Sequence, residues 1–209
     1  MTEEEARGWL DARNVSRETM AALERFVAFL VVENASQNLI SDATIPNMWA
    51  RHIVDSAQLL DIAPSGGSWI DLGSGPGFPG LIVAAIGNRP VTLVEERAKR
   101  VAFLQAAAEV LGIAERITIM PAKVERVPPQ PFAVISARAF APLPRLLTVA
   151  EHVSDKTSLW LLPKGRSGER ELAALDRSWQ GVFEVVPSIT DSESAIIVAT
   201  GVSRGKGRR

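Results

Sequence analysis

Apolar positions along the chain follow two periods, and the change from one to the other divides it. Up to about residue 65 they recur every three or four positions. Thr2 and Glu5 have capping-box spacing ahead of Trp9 and Leu10, which predicts a short first helix. Ser16 can cap a second helix, on which Met20, Leu23, Val27, Leu30 and Val31 share one face before the polar stretch 34–38 ends it. Ile45-Pro46 puts a proline in the first turn of a third, with Trp49, Ile53, Leu59 and Leu60 as its apolar side. Pro64-Ser65-Gly66-Gly67 reads as a linker. Beyond it, short apolar runs alternate with helical segments. Strands are expected over 68–72, 91–95, 116–120, 132–136 and 157–162, and helices over 78–87, 97–111, 142–152 and 168–178, with Gly112 closing the second of these. A proline-rich loop, 121–131, follows the third strand. Strands near 181–187 and 194–200 leave no room for a helix between them, so they are expected to pair antiparallel. The pattern is α/β: an open, mostly parallel seven-stranded sheet covered on both faces. It divides as a helical cap (1–65), an α/β domain (66–202) and a disordered basic tail (203–209).

The stretch Ile70-Asp71-Leu72-Gly73-Ser74-Gly75-Pro76-Gly77-Phe78-Pro79-Gly80 joins the first strand to its helix through a glycine-rich turn. Such a turn lets backbone approach a ligand closely, because glycine has no Cβ to block it. Gly75-x-Gly77-x-x-Gly80 satisfies the dinucleotide fingerprint. Asp71-x-Gly73-x-Gly75-x-Gly77 satisfies the first motif of class I S-adenosylmethionine methyltransferases. Glu95, about twenty residues past the turn, is placed for a ribose hydroxyl pair, which both ligands carry.

Composition removes several chemistries. The absence of cysteine excludes disulfides, thiolate metal sites and a cysteine nucleophile. With only His52 and His152, a histidine metal site is not expected. No apolar run approaches the ~20 residues of a membrane span, and the acidic N-terminus is unlike a secretory signal. The net charge of −1 is unevenly spread: residues 1–65 hold ten acids and five bases, residues 66–150 six acids and nine bases. A basic middle suits a polyanionic partner.

In open α/β sheets the loops after the strands line the site. Here they carry Phe78, Glu95, Lys99, Arg100, Lys123, Glu125, Arg138, Phe140, Lys164 and Arg166. No cysteine is available for attack on a pyrimidine C5. The Asn/Asp-Pro-Pro-Tyr motif of exocyclic-amine methylation is missing after strand four, and the chain has no tyrosine. An acceptor atom with a free lone pair remains, and guanine N7 is one, since it bears no proton. Its methylation requires alignment and base stacking but no general base. An NAD-dependent oxidoreductase is the alternative, and it lacks a hydride-transfer partner in the sequence.

The chain resembles, over nearly its whole length, the bacterial 16S ribosomal RNA guanine-N7 methyltransferase G family, also called glucose-inhibited division protein B. The resemblance rests on Asn38-Leu39-Ile40, Arg51-His52-Ile53-Val54-Asp55-Ser56, the glycine turn, Lys99-Arg100-Val101-Ala102-Phe103-Leu104, Val124-Glu125, Ser136-Ala137-Arg138-Ala139 and Lys164-Gly165. It implies the Rossmann-like class I fold and S-adenosylmethionine contacts at Gly73, Phe78, Val124, Glu125 and Arg138. The turn adds Asp71, Gly75 and Gly77 to the cofactor set, and Glu95 joins it through the ribose. It also implies a cytoplasmic enzyme, expected to be monomeric, that methylates the guanosine at nucleotide 527 of 16S rRNA in the small ribosomal subunit. Arg51, His52, Lys99, Arg100, Lys164 and Arg166 are the expected RNA contacts. Arg138 is the positional candidate at the transfer point, and its loss is not expected to affect folding, since it ends a strand. Ala133, Ala137 and Glu95 stand where the family more often has Asp, Ser and Asp.

Overall fold

The computed structural model describes residues 1–205. Two helices, α1 (Glu3–Asp11) and α2 (Arg17–Gln37), open the chain, and an irregular helical segment over 42–61 holds the short α3 (Asp55–Ala57). There follow β1 (Trp69–Leu72), α4 (Gly80–Gly87), β2 (Val91–Val94), α5 (Ala98–Leu111), β3 (Ile117–Met120), β4 (Val134–Ser136), α6 (Leu143–Ala150), β5 (Leu159–Lys164), α7 (Gly168–Ala173), β6 (Trp179–Pro187) and β7 (Ala195–Arg204). The seven strands form one sheet in the order β3-β2-β1-β4-β5-β7-β6. The first five are parallel, and β7 runs antiparallel between β5 and β6. The expected closing pair is therefore present, inserted with its second strand inward. The order in which strands are added reverses between β1 and β4, which places the ends of these two strands where ligands of such sheets bind.

Alternation along each buried strand sorts the core into two layers, as a period of two requires. Trp69, Leu93, Val134 and Leu161 pack on one face with α4 and α5. Ile70, Val94, Ile135 and Leu162 pack on the other with Leu143, Leu146 and Leu147 of α6. Leu10, Leu23, Phe26 and Leu30 of α1 and α2 belong to the first layer, in one cluster with Leu81 and Leu104. The N-terminal helices thus share the sheet's core.

Three expectations change. The segment 64–67 is pinned: Arg89, 5% exposed, donates to the carbonyls of Pro64, Gly66 and Gly67 at 2.8–2.9 Å and lies over Trp69. The third helix is not regular. It passes from a 3-10 stretch (Asp42–Asn47) through a π turn (Trp49–Val54) to α3 and a second 3-10 stretch (Gln58–Asp61). Partners from elsewhere in the chain bond this segment's backbone: the Glu3 carboxylate accepts from the amides of Trp49 and Ala50, and Arg138 donates to the carbonyl of Arg51. At the other end, β7 carries Ser203 and Arg204 in register with β6, so the chain stays in the sheet past residue 202. The remainder of the expected tail, residues 206–209, lies outside the described residues. Among the described residues, no helix is long and apolar enough to cross a membrane.

Candidate active site

Two adjoining cavities open where β1, β2 and β4 end. The smaller, about 270 Å³, lies between the glycine turn and the residues after β2 and β3. The larger, about 760 Å³, lies between the turn, the loop after β4 and the segment 39–55.

Asp71 sits beneath the turn, fully buried. Its Oδ1 accepts from Ser136 Oγ at 2.7 Å and its Oδ2 from the Gly80 amide at 3.3 Å, while Ser136 accepts from Trp69 Nε1 at 2.8 Å. Burial pushes its carboxyl up to about 6 against those hydrogen bonds. Asp71 thus ties the turn to β4 and lines neither cavity. Gly77 has a similar inward role: a Cβ there would fall 2.2 Å from Leu81. Both were expected to touch cofactor, and in the structure both shape the turn from within. Gly80 is also turned inward, its amide donating to Asp71 Oδ2 at 3.3 Å and its Cα set against Leu93 and Asp71, the close helix–strand packing that the third glycine of a dinucleotide fingerprint makes as well.

Glu95 follows β2 directly and is 5% exposed. Its oxygens accept from the Gly75 amide at 3.0 Å and the Arg97 amide at 2.9 Å, which fixes the carboxylate at the wall of the smaller cavity. A carboxylate oxygen accommodates more than one donor, so each retains capacity toward the cavity. Val124 and Glu125, in the turn after β3, line it as well. An oriented carboxylate, an apolar contact and a glycine-lined floor fit a nucleoside cofactor. Glu95 would hold its ribose, Val124 and Glu125 would meet its base, and Gly73, which lines both cavities, and Gly75, which lines the larger, would lie under the part that continues there.

The larger cavity is organised by Arg138. Its Nη1 donates to the Arg51 carbonyl and to Asp55 Oδ2, both at 3.2 Å, and its Nη2 meets His52 Nδ1 at 3.0 Å. A guanidinium only donates, so Nδ1 is the acceptor and Nε2–H is directed to Thr44 Oγ1 at 2.8 Å. Burial, and then the charges of Arg138 and Arg51, depress the His52 imidazole to about 3, so it is neutral at physiological pH. His52 stacks on Phe78, with ring centroids 5.0 Å apart, and the Arg138 guanidinium lies 4.9 Å over the same ring. Asp55 completes the set, accepting from Thr190 Oγ1 and Gln58 Nε2, each at 3.0 Å. Arg51 reaches Asp191 at 2.5 Å.

Of the expected cofactor residues, Gly73, Gly75, Phe78, Glu95, Val124, Glu125 and Arg138 line one cavity or both. Of the expected RNA contacts, Arg51, His52, Arg100 and Lys164 do so, whereas Lys99 and Arg166 line neither. Lys164 is no free cation. Its Nζ donates to the Ala141 carbonyl at 3.0 Å and to Glu171 at 2.7 Å, with only 10% of the side chain exposed. Arg166 is paired with Glu193 on the surface. Ala133 lies at the opposite end of β4 from the cavities, against Gly67. Sequence reasoning missed Asp55 as Arg138's anchor, although Arg51-His52-x-x-Asp55 has the spacing that puts the last two on one helical side. It also left Phe140 unassigned, and nothing local marked Thr190, which is 135 positions from Asp55.

The profile of the rRNA small subunit methyltransferase G family matches residues 19–195. The chain is 54% identical to the ribosomal RNA small subunit methyltransferase G of Rhizorhabdus wittichii, over all of this chain and 98% of that one. It is 52% identical to the protein of the same name from Sphingopyxis alaskensis, over 95% of this chain and 86% of that one. Among solved structures, an RNA methyltransferase from Salinibacter ruber bound to S-adenosyl-L-homocysteine shares the fold, with a TM-score of 0.56 and 16% identity over 75% of this chain and 94% of that one. Strand order, the two cavities at the glycine turn and these matches lead to one assignment: the chain belongs to the rRNA small subunit methyltransferase G family, on the class I S-adenosylmethionine methyltransferase fold.

Proposed function

We propose that the protein methylates N7 of the guanosine at nucleotide 527 of 16S rRNA, using S-adenosylmethionine. Family membership supplies the coarser part, an S-adenosylmethionine-dependent methyltransferase of small-subunit rRNA. The observation that carries the finer part is the state of the acids and bases around the larger cavity. His52 Nδ1 is taken by Arg138, and Asp55 is shared among Arg138, Thr190 and Gln58. Glu171 accepts from Lys164, Ser167 and the Leu143 amide. Each of these groups is thus already engaged by donors of the protein itself. Guanine N7 has no proton to lose, so a site whose acids and bases are all held in this way suits it.

The bound cofactor supplies the methyl group on a sulfonium. The protein's contribution is position. Glu95 fixes the nucleoside end, and Arg138, held on three sides and resting on Phe78, presents a rigid cationic wall to the transfer cavity. Alignment of this kind is worth a large part of a transfer barrier. The test is labelled S-adenosylmethionine with 30S particles, 50S particles and free 16S rRNA, followed by nucleoside mass spectrometry and borohydride–aniline cleavage. Cleavage at one position in the 530 loop is expected. N1- or N2-methylguanosine as the product would refute the N7 assignment while leaving the cofactor in place.

A further inference from the structure

We propose that Phe140 is the stacking platform for the target base, a role that rests on the methyl-transfer reading above. Three aromatic rings line the larger cavity: His52, Phe78 and Phe140. Phe78 is 2% exposed and lies under both His52 and Arg138, and His52 is 8% exposed with both ring nitrogens bonded. Neither offers a free face. Phe140 is 36% exposed, and it alone of the three lines both cavities. Its ring lies against Gly73, so close that a Cβ there would fall 2.3 Å from it. That puts it beside the glycine turn on the boundary between the nucleoside end and the transfer end.

The loop that presents the ring is fixed at both ends. Arg138 is bonded to Arg51, His52 and Asp55, and the Ala141 carbonyl accepts from Lys164. Between these anchors Ala139 has φ +53°, a left-handed conformation that a non-glycine residue adopts at a cost. The turn made there directs the next residue toward Gly73. An exposed apolar ring held at the cavity mouth by a strained residue between two anchors has the form of a recognition surface. Bases splayed out of single-stranded RNA are received by such rings.

The test compares Phe140→Leu, of similar size without a π face, with Phe140→Tyr, which keeps it. Single-turnover methylation of 30S particles gives kcat/KM for RNA, and calorimetry gives S-adenosylhomocysteine affinity. Loss of one base–aromatic stack corresponds to roughly 10- to 100-fold. Phe140→Leu is expected to lose about that factor in kcat/KM, Phe140→Tyr to recover most of it, and both to bind S-adenosylhomocysteine within about twofold of wild type. A Leu variant within twofold of wild type on RNA would overturn the proposal. So would an equal loss of cofactor affinity, or a Tyr variant as impaired as Leu. Mass spectrometry of the wild-type product keeps the two readings apart: a methyl group found elsewhere than N7 defeats the functional assignment and leaves the Leu–Tyr comparison valid.

Discussion

Replacing Arg138 tests the site and the fold at once. The side chain is 17% exposed and its ionic partner Asp55 16%. It makes three donor contacts, to Arg51, Asp55 and His52. Hydrogen bonds involving a charged group each contribute about 1.5–3 kcal/mol, and removing one partner of a buried pair costs about 3–5 kcal/mol. Partial exposure moves this site toward the lower end, so Arg138→Ala is expected to destabilise by about 3 kcal/mol. For a chain of this size that lowers Tm by roughly 6–12 °C. The sequence-based expectation that folding would not feel the loss is thereby replaced: the residue ends a strand, yet it fastens the segment 51–55 to the sheet. Arg138→Lys keeps the charge but has one nitrogen for three acceptors lying in different directions. It is expected to stay folded and to lose on the order of 10²-fold in single-turnover methylation of 30S particles, as a small misplacement does. A Lys variant within about twofold of wild type, or an Ala variant whose Tm moves by less than about 2 °C, would refute the reasoning.

Four further outcomes follow from other parts of the site. Glu95→Ala removes the acceptor of the Gly75 and Arg97 amides and, on the proposed reading, the ribose partner, so S-adenosylmethionine affinity should fall by about 1–3 kcal/mol; an unchanged calorimetric affinity would remove Glu95 from the site. Asp71, raised to about 6, stabilises the fold when protonated and loses that contribution as pH rises through 6. His52, depressed to about 3, does the reverse, because its contribution is present above its ordinary value near 6.5 and declines as pH falls below it. Between pH 5 and 6 the two oppose each other, so His52→Gln should turn a nearly flat urea-denaturation stability into one that falls by about 1 kcal/mol across that unit, and a rise would contradict the Asp71 assignment. Arg100 lines both cavities, so Arg100→Ala should reduce the slope of log RNA affinity against log salt by about 0.7–0.9. Lys164→Ala should leave that slope alone and lower Tm, since it strands Glu171; the opposite pattern would make Lys164 the RNA contact.

What the sequence disclosed follows from the range of the forces involved. Strands and helices of the α/β region were legible because their periodicity is local, as was the capping box, in which Thr2 and Glu5 bond each other's backbone amides. The glycine turn was legible because its geometry admits few residues. Glu95 could be placed from its distance along the chain. The division of the turn's residues between cavity-lining Gly73 and inward Asp71 and Gly77 was not legible, because motif letters do not say which way an atom points. Lys164 and Arg166 show a related limit: their partners Glu171 and Glu193 are chosen by the fold and leave no mark on the motif letters. The irregular segment 42–61 looked like an ordinary helix because the groups that bond its backbone, Glu3 and Arg138, lie far away in sequence.

The clasp around Arg51 and Asp55 has a consequence for the order in which the molecule is completed. Asp191 holds Arg51, Thr190 holds Asp55, and Ser188 and the Ile189 amide bond Gln58. These partners stand 130 to 140 positions apart. During synthesis the sheet can begin to pair as β1, β2 and β4 emerge, but the wall that carries Arg51, His52 and Asp55 gains its far supports only when residue 191 has left the exit tunnel. Contacts of such separation form late, after the loop they close has been collapsed by other interactions. The wall of the larger cavity therefore cannot be completed until the chain has been made through residue 191.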